Sequence, residues 1–268
     1  MIDSLRPFSA AAVPCKICGG AAAPYGVVDF HKSCAEATNG VRLPLSGVPI
    51  YYRRCAVCDF LFTDAFDDWS HDQFKAHIYN DDYQTVDPDY RTRRPSENAR
   101  FVAQLWDAHK AQTRVLDYGG GNDVFCTALR AGGFQAAITY DPMTPEHARR
   151  PSGKFELVTC FETLEHLPDP AGGIASILEY AAETGLIFFS TCTPPTGFNN
   201  YGLHWWYVGP RNGHISIFSR QSLKRAFAVH GYKYVACSDN LHLAFRKLPP
   251  FLAHLDTSRL DEPAPARA

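Results

Sequence analysis

The stretch Arg114-Val115-Leu116-Asp117-Tyr118-Gly119-Gly120-Gly121-Asn122 carries an apolar strand directly into a turn of three glycines. Glycine has no Cβ and adopts backbone angles that other residues avoid, so this turn lets the backbone approach a ligand closely. A second apolar run, 136–140, ends at Asp141. A carboxylate at the end of that strand can accept hydrogen bonds from the hydroxyls of a ribose. The sequence therefore predicts a site for an adenosine-containing cofactor.

The glycine pattern differs from the fingerprint of dinucleotide-binding proteins at its third position. That fingerprint has a third glycine, which packs the following helix close to a pyrophosphate, whereas this chain has Asp123. A carboxylate at a helix N-terminus would repel a pyrophosphate and could instead meet a cationic or zwitterionic ligand. A glycine turn alone is also typical of an ordinary turn, and Asp117 could simply cap the next helix.

Three segments, in order along the chain, resemble the class I methyltransferases that use S-adenosylmethionine. They are Val115–Asp123, Tyr140-Asp141 and Phe155–Leu167, the last of which ends in Glu-x-x-Glu-His-Leu. The resemblance covers about residues 95–248 and implies S-adenosylmethionine as the cofactor. It also implies a set of cofactor-binding residues: Asp117, Gly119, Gly121, Asp141, Phe161 and Glu162.

Strands and helices alternate from residue 95 onward, which predicts a parallel sheet with helices on both faces. Together with the resemblance, this implies an α/β fold with a Rossmann-like methyltransferase sheet. Ser96 is expected to cap a helix that continues to His109 and carries Phe101, Leu105 and Trp106 on one face. Further helices are expected at 123–131, 170–182 and 219–230. The expected strands are 114–118, 136–140, 155–160, 185–191, 232–237 and 241–246.

The connection between the second strand and the next one is unusually short. Residues 142–154 separate Asp141 from Phe155 and include three prolines, at 142, 145 and 151. A full strand–helix crossover needs a longer segment. We therefore expect the third strand of the usual methyltransferase sheet to be reduced.

Two Cys-x-x-Cys pairs, Cys15/Cys18 and Cys55/Cys58, lie in the first 80 residues. Two residues between cysteines let both thiolates reach one ion from a tight turn, and four thiolates around Zn²⁺ form a closed structural site. The gap between the pairs holds Cys34 and His31, either of which could replace one ligand. A thioredoxin-like redox pair is the rival interpretation, but neither pair follows a strand and opens a clear helix.

This first part is similar to the N-terminal zinc-binding module of some bacterial sugar methyltransferases. Tyr52–Phe62 has the pattern strand, cysteine pair, strand, and Ile78–Tyr83 resembles the aromatic segment that follows the module in those proteins. The chain has no counterpart of the extra C-terminal domain of the deoxysugar C-methyltransferases, so their particular chemistry is not expected. We expect a zinc-ribbon-like module at 1–80, a linking helical segment at 81–110, a methyltransferase domain at 111–250 and a flexible tail at 251–268.

Composition limits the possible partners. The net charge of -2 gives no broad basic surface, which disfavours nucleic-acid binding. The local cluster Arg91, Arg93 and Arg94 is typical of a solvated face. No apolar stretch is long enough to span a membrane, and the first 14 residues have no signal-peptide pattern. Nine cysteines in such a chain favour a reducing compartment, and we expect a cytoplasmic location.

Methyl transfer to a hydroxyl is helped by a general base, and histidine suits that role near neutral pH. The candidates are His166, His204 and His214. His166 could equally pack beside the cofactor. The aromatic and polar loop 194–214 follows the fifth strand and is expected to close over the acceptor, although its tryptophans could serve as core residues.

Three functions are compatible with these patterns. We favour transfer of a methyl group to a small-molecule or saccharide acceptor, and the saccharide rests on the resemblance alone. The alternatives are a methyltransferase acting on a protein or RNA gripped by the zinc module, and a non-catalytic cofactor-binding scaffold.

Overall fold

The computed structural model describes Ile2 and residues 5–252, and its strands form two sheets. The strands are β1 Val13–Pro14, β2 Ala21–Asp29, β3 Pro49–Cys55, β4 Leu61–Phe62, β5 Arg114–Tyr118, β6 Ala136–Tyr140, β7 Phe155–Phe161, β8 Ala181–Ser190, β9 Ser216–Ile217, β10 Lys233–Ala236 and β11 Leu241–Phe245. The expected tail at 251–268 lies, from residue 253 on, outside the described residues.

The larger sheet has six strands in the order β10-β11-β8-β7-β5-β6. Strands β6, β5, β7 and β8 run parallel, and β8, β11 and β10 are antiparallel neighbours. The chain passes from β6 to β7 through a single short 3₁₀ turn at Pro145–His147, so β6 is the edge of the sheet. This confirms the Rossmann-like sheet and its reduced third strand.

Helices cover both faces of this sheet. The structure contains α1 Ala35–Thr38, α2 His71–His77, α3 Tyr83–Val86, α4 Arg93–Leu105, α5 Val124–Ala131, α6 Pro170–Leu178, α7 Phe198–Tyr201 and α8 Arg220–Ala228. Successive residues of one strand point to opposite faces, so Val115 packs with α4 and α5 while Leu116 packs with α6 and α8. None of the helices in the described part of the chain is long and apolar enough to cross a membrane.

Two predicted helices differ from the observed ones. Helix α4 begins at Arg93 after Thr92, not at Ser96, because proline at 95 is tolerated in the first turn of a helix. Of the expected face, Trp106 is buried directly after the helix, whereas Phe101 is 41% exposed and Leu105 52% exposed. The helix itself buries Ala99 and Val102. Helix α6 ends at Leu178, well before residue 182, because Ala181 already pairs with Phe155 as the first residue of β8.

The smaller sheet has the order β1-β2-β3-β4-β9 and is antiparallel throughout. Its first four strands come from the cysteine-rich part, but β9 comes from residues 216–217, far along the chain. Each part also shares its apolar core with the other, since Phe60 and Phe62 pack in one cluster with Val158 and Phe189. The two parts of the chain are therefore joined by a strand and by a common core.

Candidate functional site

The carboxyl ends of β5, β6, β7 and β8 lie along one edge of the larger sheet, since these strands are parallel. The chain leaves β5 toward β6 on one side and then crosses to β7 on the other. Ligands of open α/β sheets bind at such a switch point, outside the carboxyl ends of the strands. This edge carries the glycine turn, Asp141 and Glu162.

The glycine turn is held in place by the end of the neighbouring strand. Gly119 has a φ of +75° and donates its N–H to the Tyr140 carbonyl at 2.8 Å. Gly121 has a φ of +64° and donates its N–H to Asp141 Oδ2 at 2.9 Å. A Cβ built on Gly121 would meet no atom within 4 Å, so the space beside it is open. A carboxylate can accept further hydrogen bonds beyond those it makes here, so Asp141 retains capacity for a ligand.

Asp117 lies beneath the turn and is only 3% exposed. Its Oδ1 accepts a hydrogen bond from Thr159 Oγ1 at 2.8 Å, and a Cβ built on Gly120 would lie 2.0 Å from its Oδ2. Burial raises the pKa of Asp117 to about 7, against the opposing effect of the Thr159 hydrogen bond. The side chain therefore fills the space next to Gly120, and its contact with a cofactor stays a prediction.

Asp123 has several partners within the protein. Its carboxylate accepts hydrogen bonds from Thr127 Oγ1 at 2.9 Å and Thr139 Oγ1 at 2.8 Å and forms an ion pair with Arg130. These partners come from its own helix and from β6, so the acid ties α5 to the sheet. The expectation that Asp123 meets a ligand stays a prediction.

Phe161 and Glu162 end β7 beside the turn. The Phe161 ring packs against Phe125 and Phe188 at centroid distances of 5.7 and 5.5 Å, so much of it belongs to the core. Glu162 has a φ of +49°, which is strained for a residue with a Cβ and is often found at functional sites. Its Oε1 accepts a hydrogen bond from Ser190 Oγ at 2.6 Å. Burial, together with the nearby Glu165, raises the pKa of Glu162 to about 7.

Two of the three predicted histidines lie together with Glu165, and we call Glu165, His166 and His214 the carboxylate–histidine cluster. One potential ligand atom of each residue lies within 4.8 Å of those of the other two. The segment after Gly213 is tied to the turn that follows β7, because Ile215 N–H donates to the Glu165 carbonyl at 2.9 Å. Gly213 permits this approach, since a Cβ there would lie 2.9 Å from His166 Nδ1.

The loop 194–214 is divided between core and surface. Trp205 and Tyr207 are buried in the apolar cluster of the cysteine-rich part, whereas Trp206 is 39% exposed. His204 is exposed and His214 is buried, so the two histidines face different environments. Closure of this loop over an acceptor stays a prediction.

A cavity of about 260 Å³ lies between this loop and the second cysteine pair. Arg54 crosses it, and its Nη1 donates to Asn199 Oδ1 at 2.6 Å. The cavity is lined by Arg54, Asp59, Pro194, Pro195, Gly197, Phe198, Asn199 and Ser219. A mixture of charged, amide and aromatic groups suits a polar ligand with an apolar face.

The four cysteines of the two pairs lie together at the ends of β1 and β3. Cys15 Sγ is 3.7 Å from Cys58 Sγ, and Cys18 Sγ is 3.5 Å from Cys55 Sγ. Thiolates held tetrahedrally by Zn–S bonds of about 2.3 Å would lie roughly 3.8 Å apart. The hydrogen bond from Cys58 lowers the pKa of Cys15 to about 5, although burial opposes this. The geometry therefore fits one tetrahedral metal ion.

Neither alternative ligand lies in this thiol cluster. The Sγ of Cys34 lies 3.5 Å from His214 Nδ1, and His31 Nδ1 is hydrogen-bonded to the Pro44 carbonyl at 2.7 Å.

Three residues that sequence reasoning missed contribute to the site. Tyr207 donates to Glu165 Oε1 at 2.6 Å, Ser190 donates to Glu162, and Cys34 contacts His214. The sequence indicated the cluster itself through the Glu-x-x-Glu-His segment and His214, but it gave no signal for these three residues, because they meet the site through tertiary packing.

Comparison with known proteins identifies the larger sheet and its helices. The family model described as "Methyltransferase domain" matches residues 90–237, which is more than half of the chain. A ubiquinone biosynthesis O-methyltransferase of Aromatoleum aromaticum is 31% identical over 108 residues, covering 32% of this chain and 46% of that protein. Its counterpart in Colwellia psychrerythraea is 46% identical over 65 residues, covering 24% of this chain and 25% of that protein. The chain thus spans less than half the length of these relatives.

Solved structures show weaker likeness. Magnesium protoporphyrin IX methyltransferase from Synechocystis PCC 6803, with bound SAH, has a TM-score of 0.42 and 15% identity, covering 69% of this chain and 97% of that chain. DesVI of Streptomyces venezuelae has a TM-score of 0.43 and 15% identity, covering 63% of this chain and 97% of that chain.

Proposed function

Since this chain belongs to the family of class I methyltransferase domains, we propose that it transfers a methyl group from S-adenosylmethionine to a hydroxyl of a small-molecule or saccharide acceptor. The main support is the arrangement at the switch point of the sheet, where the glycine turn is hydrogen-bonded to Asp141. The names of the curated relatives, which are O-methyltransferases, support a hydroxyl as the acceptor group. The saccharide rests on the resemblance of the N-terminal part alone.

The cofactor would be held along the carboxyl edge of β5, β6 and β7. Asp141 would accept hydrogen bonds from the ribose hydroxyls, and the open space beside Gly121 would admit the ligand next to the backbone. Glu162 and Phe161 would contact the cofactor from the end of β7, while Asp117 would keep the turn in shape. The cofactor supplies an activated methyl group, so the remaining task of the chain is to align the acceptor and take its proton.

The acceptor proton would be taken at the carboxylate–histidine cluster. His166 is the accessible member, because it is partly exposed while Glu165 and His214 are buried. Burial lowers the pKa of His166, so its imidazole is neutral at neutral pH and can act on a hydroxyl. His204 is exposed and lies outside this cluster, so we assign it no role in proton transfer. The cavity beside Arg54 is our candidate for binding the rest of the acceptor.

The four-cysteine cluster would hold one structural Zn²⁺, which suits four thiolates at tetrahedral spacing. We retain 1–80 as the zinc module, 81–110 as the link and 111–250 as the methyltransferase domain. The alternative of an RNA substrate is disfavoured by a net charge of -2. A catalytically inactive scaffold would not need strained Glu162 and a buried acid beside two histidines.

Isothermal calorimetry tests the cofactor assignment. We expect S-adenosylmethionine and its demethylated product to bind, and NAD not to bind. Asp141→Ala should weaken binding by about 1–3 kcal/mol, because polar groups of the ligand lose their partners. The matched control Glu146→Ala removes an exposed acid from the neighbouring turn and should leave the affinity unchanged. Tighter binding of NAD would overturn the assignment, and an unchanged affinity in Asp141→Ala would remove that residue from the site.

Acceptor identity is best approached with cofactor labelled in its methyl group. A screen of hydroxyl-bearing small molecules and saccharides should give labelled product with the wild type. Label found only in protein or RNA would favour the macromolecular alternative, and no label in any acceptor class alongside tight cofactor binding would favour the scaffold.

A further inference from the structure

We infer that the carboxylate–histidine cluster is a binding site for a divalent transition-metal ion, distinct from the four-cysteine site. The inference rests on the proposed function in one respect only, that the open positions of the ion would face the acceptor hydroxyl. With the ion bound, His166 would serve as a ligand and not as the base, and the proton of the coordinated hydroxyl would pass to water. The ligands would be Glu165, His166 and His214, whose potential ligand atoms lie within 4.8 Å of one another.

Both imidazoles are oriented in the way that metal-bound histidines usually are. His166 Nδ1 donates to the Gly213 carbonyl at 3.1 Å, and His214 Nδ1 donates to the Tyr207 carbonyl at 2.8 Å. Because a carbonyl only accepts, each Nδ1 carries the proton, and each Nε2 is left with a lone pair. A histidine ligand typically donates its other ring N–H to such a carbonyl, which fixes both tautomer and ring orientation.

Only one oxygen of the Glu165 carboxylate has a hydrogen-bond partner in the described part of the chain. Its Oε1 accepts the hydroxyl hydrogen of Tyr207 at 2.6 Å. Its Oε2 is buried and makes no hydrogen bond to any residue in the described part of the chain. A buried carboxylate oxygen without a partner is costly. Oε1 lies 4.0 Å from His166 Nε2, so a cation held by both oxygens of Glu165 would also supply the missing partner of Oε2, while Tyr207 would orient the ligand.

A second acid lies beside the cluster. Glu162 is partly exposed, and its Oε1 accepts a hydrogen bond from Ser190 Oγ at 2.6 Å. Arg94, whose charge acts on both histidines, is paired with Asp87 at 2.6 Å. An ion held at the cluster would therefore have a further carboxyl group next to it.

The donor set indicates the class of ion. Two imidazoles and one carboxylate suit Mn²⁺, Fe²⁺, Co²⁺ or Zn²⁺ and leave coordination positions open for water or substrate oxygen. A hydroxyl bound at such a position would lose its proton more easily, because a bound cation lowers the pKa of a coordinated oxygen. The four-cysteine site lacks this capacity, since four protein ligands close it.

Metal titration of the full chain tests the inference. Protein carrying one zinc per chain is titrated with Mn²⁺, followed by electron paramagnetic resonance, and with Co²⁺, followed by absorption. We expect one further equivalent to bind, with a cobalt spectrum free of thiolate bands. Glu165→Gln and His166→Ala should weaken this binding by at least about 10-fold, and Tyr207→Phe by about 10–100-fold. His71→Ala, which removes an exposed histidine from α2, is the matched control and should bind like the wild type.

The outcomes separate this inference from the proposed function. If neither ion binds to the zinc-loaded wild type, or if the three variants bind like the wild type, the inference fails whatever the methylation assay gives. If metal binds but calorimetry detects no S-adenosylmethionine, the metal site stands and the proposed function fails. Circular dichroism identifies a variant that does not fold. If Glu165→Gln or His166→Ala fails in this way, the metal titrations of the wild type and of Tyr207→Phe test the inference.

Discussion

At the scale of single residues, the site contains two acids whose surroundings disfavour the ionised form. Asp117 is buried beneath the glycine turn, and Glu162 is forced to a positive φ at the end of β7. The sequence indicated both acids, because acids follow apolar strands in this kind of sheet. It could not indicate that Asp117 faces the backbone of the turn or that His214 is buried, since both depend on packing between distant segments.

The ionisation of Asp117 should make the stability of the protein depend on pH. Its folded pKa, about 7, lies above the ordinary value of 3.8, so the folded protein retains a proton that the unfolded chain has released. Its contribution is therefore greatest at low pH and is lost as the pH rises toward 7. Between pH 5 and pH 8 the wild type should lose about 2–3 kcal/mol of stability relative to Asp117→Asn.

Urea unfolding of both proteins at the two pH values measures this difference. Taking the difference between wild type and variant cancels the effects of the cysteines and histidines, which both proteins contain. Parallel pH profiles would mean that Asp117 is ionised in the folded state throughout this range.

At the scale of helices and strands, apolar runs bounded by glycine or proline predicted the six-stranded sheet well. Strands 114–118 and 136–140 were predicted to the residue. Helix α4 was misplaced because Ser96 resembles a cap, although the helix already begins before proline 95. Strand β9 was missed because two residues carry no periodicity, and its pairing with β4 spans more than 150 positions.

One helix cap also joins the two parts of the chain. Ser219 Oγ accepts the N–H of Ser222 at 3.0 Å and donates to the Cys58 carbonyl at 2.6 Å. Ser219→Ala should lower the free energy of unfolding by about 1–2 kcal/mol, because it removes both the cap and the bond to the cysteine pair. Chemical denaturation measures the loss.

A second cap provides the comparison. Ser70 caps α2, within residues 1–80, at an exposed position with a reciprocal bond to Gln73, and among the described residues its hydroxyl makes no bond to another segment of the chain. Ser70→Ala should therefore cost less, about 0.5–1 kcal/mol. Equal losses in the two variants would show that the bond to Cys58 adds nothing to the cap.

At the scale of the whole molecule, the cysteine-rich part and the methyltransferase part form one packed structure. They share β9 in the smaller sheet and a core in which Cys55 and Phe60 lie with Phe189 and Phe227. The composition of the sequence predicted two parts. It could not show that they share a core, because apolar residues do not reveal which partners they will meet.

Loss of the thiol cluster should consequently destabilise the entire chain. We expect Cys15→Ser to lose about one equivalent of zinc and to unfold in a single transition at a lower temperature, since structural zinc binding is coupled to folding. Metal analysis and scanning calorimetry measure the two effects. Cys237→Ser, at an exposed cysteine outside the cluster, is the control. Two separate transitions, one of them at the wild-type temperature, would contradict a shared core.

The strand β9 has a consequence for the order of events during synthesis on the ribosome. The cysteine pairs and β1 to β4 leave the ribosome early, and domains generally begin to fold from the N-terminal end as they emerge. Yet the open edge of β4 has its partner only at residues 216–217, after four of the six strands of the larger sheet have been made. An unpaired strand edge invites association with other chains. The nascent protein would therefore carry this exposed edge until β9 emerges, and the smaller sheet cannot be completed before the parallel strands of the larger sheet have been synthesised.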